Sequence, residues 1–209
     1  MSERVSHPLA APPALDAAIV AALNGRAIVL VGMMGAGKSS IGRRLAQRLE
    51  IPFVDADAEI EIAAGMSIED IFSTRGEPEF RSGEARVIAR LLDAGAQVLA
   101  TGGGAFMNPD TRAAIGTKGI SVWLKADHDV LMKRIKRRHD RPLLKTDDPA
   151  AKLQELIDLR YPTYALADVT VQSREIPHDK IVDEIVVALA RHLGLTVELS
   201  TATGGDCAP

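Results

Sequence analysis

The stretch Gly32-Met33-Met34-Gly35-Ala36-Gly37-Lys38-Ser39 has the residue types and spacing to hold a polyphosphate. It fits G-x-x-x-x-G-K-[ST], the phosphate-binding loop of ATP- and GTP-using proteins. Glycines let the backbone curl until several N–H groups point at one anion. The positive end of the following helix adds to that field. In such a loop Lys38 reaches the β/γ-phosphates and the Ser39 hydroxyl ligates Mg2+. The competing reading is a chance match in a glycine-containing turn, and the flanking residues count against it.

Asp55-Ala56-Asp57 follows a short apolar run, Ile51-Pro52-Phe53-Val54. Alternate residues at an extended strand end point to opposite sides, so the two carboxylates suit different tasks. One can hold a Mg2+ shell through water, and the other can accept a proton from an attacking hydroxyl. Asp57 as a plain N-cap of the next helix is the alternative, and capping is compatible with catalysis. Gly102-Gly103-Gly104 either makes a tight turn or lets backbone N–H groups approach a substrate. Arg81, beside Phe80, and Arg160, in Leu159-Arg160-Tyr161-Pro162-Thr163-Tyr164, say little alone. Arg141 lies in a charged stretch with Lys133, Arg134, Lys136, Arg137 and Arg138. Such a run is either a solvated helix face or a lid whose arginine reaches a transferring phosphate. His7, His128, His139, His178 and His192 show no metal-ligand spacing, and neither H-E-x-x-H nor G-x-S-x-G occurs. A zinc enzyme or a serine hydrolase therefore has no support.

The elements that must position these residues are also visible. Ala27 to Val31 is an apolar β-branched run directly before the glycine loop, as a buried parallel strand should be. Ile41, Leu45, Ala46 and Leu49 repeat at helical spacing after it. Further strands are expected at Gln97–Ala100, Ile120–Leu124 and Val169–Val171. Helices are expected over Asp57–Ala64, Ser67–Thr74, Glu77–Leu92, Asp127–Arg137 and Pro177–Leu193, with others opening at Asn108-Pro109 and Asp148-Pro149. Repeated strand–helix–strand units imply an α/β fold, a three-layer αβα arrangement around a five-stranded parallel sheet. Ligands in such sheets bind beyond the carboxyl ends of the strands. That rule brings Lys38, Ser39, Asp55, Asp57 and Gly102–Gly104 to one rim.

At 209 residues, with 46% hydrophobic and 25% charged content, one domain with a substantial core is expected. A net charge of −3 gives no reason to expect nucleic-acid or membrane-surface binding. No apolar run approaches the roughly 18 residues of a membrane span. The lone cysteine, Cys207, fits a reducing, cytoplasmic compartment. Residues 1–25, Ala/Pro-rich, read as a disordered arm ending in a short helix around Leu15–Leu23. The domain proper is expected over 26–195 and a flexible tail over 196–209.

Taken together, these segments resemble shikimate kinase, a family of small P-loop kinases related in fold to nucleoside monophosphate kinases. The matching pieces are GMMGAGKSS, FVDADAEIE, IEDIFSTRGEPEFRSGE, TGGGAF, RPLL and LRYPTY, in the family's order, over about residues 27 to 177. The resemblance implies a P-loop kinase fold with a mobile lid near 136–148. It also implies transfer of the ATP γ-phosphate to the 3-hydroxyl of shikimate, in the biosynthesis of chorismate and aromatic amino acids. By motif position, Asp57, Arg81, Gly102, Gly103, Gly104 and Arg160 look like shikimate contacts, with the two arginines on its carboxylate and Asp57 on its hydroxyls. Gly35, Ala36, Gly37, Lys38, Ser39 and Ser40 look like the ATP cradle, with Asp55 in the outer shell of Mg2+. Arg141 looks like the lid arginine, Arg134 and Pro177 like the adenine sandwich, and Arg174 like a further nucleotide contact. Small-molecule partners and a monomer are expected. A gluconate or nucleoside monophosphate kinase is the nearest rival. A GTPase switch would need N-K-x-D and D-x-x-G, and neither is present.

Overall fold

The computed structural model describes residues 13–136 and 148–196. Its strands are β1 (Ala27–Val31), β2 (Phe53–Asp55), β3 (Val98–Ala100), β4 (Gly119–Lys125) and β5 (Val169–Gln172). They form one 5-stranded sheet in the order β2-β3-β1-β4-β5, and every pairing is parallel. The central strand β1 is buried along its whole length, because both its edges and both its faces are covered. Val29 lies level with Leu99 on one side and Ser121 on the other. The chain reverses its direction of travel across the sheet at β1, the switch point where a parallel sheet opens a crevice. The carboxyl ends of β2, β3 and β1 are neighbours, so the three loops expected on one rim do share it.

The helices are α1 (Pro13–Leu23), α2 (Lys38–Leu49), α3 (Ala56–Ala64), α4 (Ile68–Leu92), α5 (Pro109–Lys118), α6 (His128–Lys136), α7 (Pro149–Tyr164) and α8 (His178–His192), with a 3-10 turn at Ala105–Met107. The expected pair of helices over 67–92 appears as one element broken at Gly76, where φ is 81° and ψ 170°. That glycine and Pro78 prevent a straight helix. Across the break, Ile71 and Phe80 join Ile60 of α3 in a small satellite core, with the Phe72 ring 4.5 Å from that of Phe80. No helix among the described residues is long and apolar enough to cross a membrane.

One expectation is corrected. The helix expected around Leu15–Leu23 forms as α1, but it does not end a disordered arm, because Leu15, Ile19 and Leu23 lie buried in the main core. Their i, i+4, i+8 spacing makes a narrow apolar stripe that the surrounding alanines obscure. Arg48 of α2 pins this helix, bonding Asp16 at 3.0 Å and Asp183 of α8 at 2.5 Å. The expected tail from 197 onward, Cys207 and residues 1–12 lie outside the described residues.

Candidate active site

The glycine loop leaves β1 through Gly32, whose φ of 132° is closed to most side chains, and enters α2 through Gly37, left-handed at φ 96°. A Cβ on Gly32 would stand 2.8 Å from the Leu124 carbonyl oxygen. No side chain among the described residues caps α2, so its first N–H groups face the cavity that an anion would fill. Lys38 folds back over the loop and donates to the carbonyls of Gly32 (2.8 Å) and Met33 (3.0 Å). Ser39 donates to Asp55 Oδ2 at 2.7 Å. Asp55 Oδ1 accepts the Asp57 N–H at 3.2 Å and is the N-cap of α3. Capping therefore falls to Asp55 and not to Asp57.

Two cavities of about 400 and 490 Å³ adjoin on this rim. The first is lined by Gly35, Gly37, Lys38, Ser39, Ser40, Asp55 and Arg134. The second is lined by Arg81, Glu84, Gly102, Gly104 and Arg160, with Ile68, Phe72 and Phe80 as its apolar wall. Met34, Asp57 and Gly103 line both. Asp57 thus stands at the seam.

The second cavity is built by charge pairing on α4. Arg81 donates to Glu84 Oε2 at 2.7 Å and to Glu77 at 3.1 Å, and its guanidinium lies 5.0 Å from the Phe80 ring centre. Glu84 is 2% exposed, and its Oε1 has no hydrogen-bond partner among the described residues. Burial pushes the Glu84 carboxyl above its ordinary value; Arg81 and Arg160 pull it back, and the Asp57 charge pushes it up again. From α7, Arg160 donates to the Gly103 carbonyl at 3.1 Å. Tyr164, one turn on, donates to the same oxygen. Burial pushes the Tyr164 hydroxyl up to about 12, so it keeps its proton and remains a donor at neutral pH.

The triple glycine answers to space. A Cβ on Gly104 would lie 2.5 Å from the Arg81 guanidinium nitrogens, and one on Gly102 would lie 2.8 Å from both Asp57 Oδ1 and Glu84 Oε1. Gly102→Ala must displace both carboxylates. We expect kcat/KM for the acceptor to fall about a hundredfold, the cost of roughly 1 Å of misplacement. Mg-ADP affinity should be unchanged, and titration alongside steady-state kinetics checks both.

Sequence reasoning missed Glu84. Its charge pattern with Arg81 and Glu77 reads as a solvated helix face. The available signal was its place four residues from both Phe80 and Ile88, on the buried stripe of α4. Of the residues expected to meet a nucleotide, Arg134 bonds the carbonyls of Gly35 and Ala36, Ser173 Oγ and the Arg174 carbonyl. It straps the glycine loop to the loop after β5. Ala36 is fully buried and contributes backbone alone. The Arg174 side chain turns to Glu184. Neither Arg174 nor Pro177 lines the glycine-loop cavity, whereas His178 does. Arg141 and most of the expected lid lie outside the described residues.

Fold and rim together define a small-molecule kinase of the P-loop class. A family model described as shikimate kinase matches residues 34–190, and the chain belongs to the shikimate kinase family. A shikimate kinase of Rhodopseudomonas palustris is 61% identical over 193 residues, 92% of this chain and 95% of that protein. One of Bradyrhizobium diazoefficiens is 61% identical over 186 residues, 89% of each chain. A solved structure of the enzyme from Acinetobacter baumannii in complex with shikimate is similar with a TM-score of 0.76. It is 37% identical and covers 80% of this chain and 94% of that one.

Proposed function

We infer that this protein transfers the γ-phosphate of ATP to the 3-hydroxyl of shikimate, giving shikimate 3-phosphate and ADP. The observation that carries the reading is Asp57 at the seam between a phosphate cavity and an arginine-lined one. The hydroxyl oxygen forms the new bond to the γ-phosphorus, the bond from that phosphorus to the β,γ-bridging oxygen breaks, and the hydroxyl proton passes to Asp57. Lys38 and the amides of Gly35–Ser40 offset charge on the phosphates. Arg81 and Arg160 hold the shikimate carboxylate, and Glu84 Oε1, without a hydrogen-bond partner among the described residues, suits a ring hydroxyl.

Ser39 and Asp55, a hydroxyl backed by a carboxylate at 2.7 Å, are hard oxygen donors of the kind Mg2+ takes alongside substrate phosphates. Ser39 would hold the ion and Asp55 its water shell. When bound, Mg2+ supplies charge neutralisation to the triphosphate. A cytoplasmic, monomeric enzyme is part of the same proposal.

ADP release measured across shikimate, gluconate and nucleoside monophosphates tests the substrate. Equal or faster turnover of another acceptor would reject shikimate. Arg160→Lys tests the carboxylate grip. One guanidinium nitrogen already serves Gly103, and a lysine cannot serve that carbonyl and fork a carboxylate as well. The shikimate KM should rise about ten- to a hundredfold, the worth of one charge-assisted bond. The ATP parameters should hold; a change confined to ATP would misplace Arg160.

A further inference from the structure

His178, the first residue of α8, lines the phosphate cavity with Gly37, Ser40 and Arg134. It is half-buried. Nothing in the phosphoryl transfer derived above uses it. The charged groups around it are Arg44 from α2, Arg134 from α6 and Asp179 beside it on α8, with Lys38, Asp55 and Asp57 on the same cavity. Asp179 is largely solvated, its side chain 81% exposed and 3.4 Å from Arg44, so it is screened and shared. Burial first, and then the two arginines, hold the imidazole below its ordinary value, while Asp179 acts weakly the other way. Burial and the two arginines therefore favour the neutral ring, in a cavity whose walls carry Lys38 and Arg134 as well as Asp55 and Asp57. Anionic phosphates entering that cavity pair with its cations and add negative charge beside the imidazole, which favours the charged ring.

We propose that His178 is a nucleotide-binding residue, and that its imidazole takes up a proton when a nucleoside di- or triphosphate enters the cavity. This rests on the assignment of that cavity to the nucleotide. The sign follows from linkage: the complex binds more protons than the free protein, so nucleotide affinity rises as pH falls. The gain accrues from the raised value in the complex down to the lowered value in the free protein.

Calorimetric titration of the full chain with Mg-ADP, in buffers of contrasting ionisation enthalpy between about pH 6 and 8, measures the uptake. The wild type should take up to about one proton more than His178→Gln. Its affinity should also gain several-fold more over that range. Titration of the nucleotide's own phosphate is common to both proteins and cancels in the difference. Arg44→Gln is a second variant: removing a repelling cation raises the imidazole in the free protein and in the complex alike, so the pH window of uptake should move upward. Equal proton counts and equal pH slopes in wild type and His178→Gln would overturn the role of His178 with the nucleotide cavity intact. Failure of the wild type to bind Mg-ADP at all would overturn the cavity assignment, and the proposal with it.

Discussion

Lys38→Ala should lower kcat about a thousandfold or more while leaving the fold in place. The ammonium now bonds the carbonyls of Gly32 and Met33, so it is anchored by the loop that would surround the triphosphate. A point charge held there needs little rearrangement to meet charge that develops on the transferring phosphoryl group. Loss of one preorganised donor at such a position costs about 2.7–4 kcal/mol, which is roughly a hundred- to a thousandfold in rate. Lys38 adds a full charge to that. The stability cost is small, because both carbonyls border an open cavity where water can replace the ammonium. Steady-state kinetics with a thermal melt separates the two effects. Activity within tenfold of wild type, on a protein that binds Mg-ATP, would contradict the loop assignment.

How much of this was legible in the sequence depends on how locally each feature is determined. The glycine loop, its preceding strand and its following helix are contiguous. Their constraints are absolute: Gly32 and Gly37 need conformations that side chains rarely take, and Gly104 and Gly102 need room for Arg81 and for two carboxylates. Features that depend on packing at a distance left weaker traces. Strand periodicity does not say which strand lies beside which, so the insertion of β3 between β1 and β2 could not be read. Helix α1 belongs to the core through three apolar residues and an ion pair to Arg48, 32 positions away. Glu84 gave no signal of its own, because its partner Arg81 is one turn off and such a pair has the pattern of a solvated helix face. What makes it a site residue is burial against the β3 loop. His178 has neighbours from α2 and α6, remote in the chain, so its spacing to other histidines was uninformative.

The clamp on Gly103 joins these levels. Arg160 and Tyr164, four apart on α7, both donate to one carbonyl. A helix far along the chain thereby fixes the loop after β3, and with it the floor shared by both cavities. Arg160 gains its orientation in the same contact, so the bond that fixes the loop also sets this guanidinium on the second cavity.

Asp57→Asn should lower kcat by about a hundred- to ten-thousandfold, the usual contribution of a positioned general base, with a modest change in the shikimate KM. Asparagine keeps the size and one acceptor oxygen, so the alcohol can still be held; what is lost is the negative charge that receives its proton. Glu84 cannot stand in. Removing the Asp57 charge takes away one of the influences that raise the Glu84 carboxyl, which makes Glu84 a weaker base, and its Oε2 stays bound to Arg81 at 2.7 Å. The capping of α3 by Asp55 is untouched, so the variant should melt close to wild type. The pH profile of kcat separates a base from a positioner. If Asp57 takes the proton, the acidic limb of the profile disappears in the variant. If it only orients the hydroxyl, a reduced rate keeps the wild-type limb. A full rate at all pH values would remove Asp57 from the chemistry, and the seam between the two cavities would need another carboxylate to explain it.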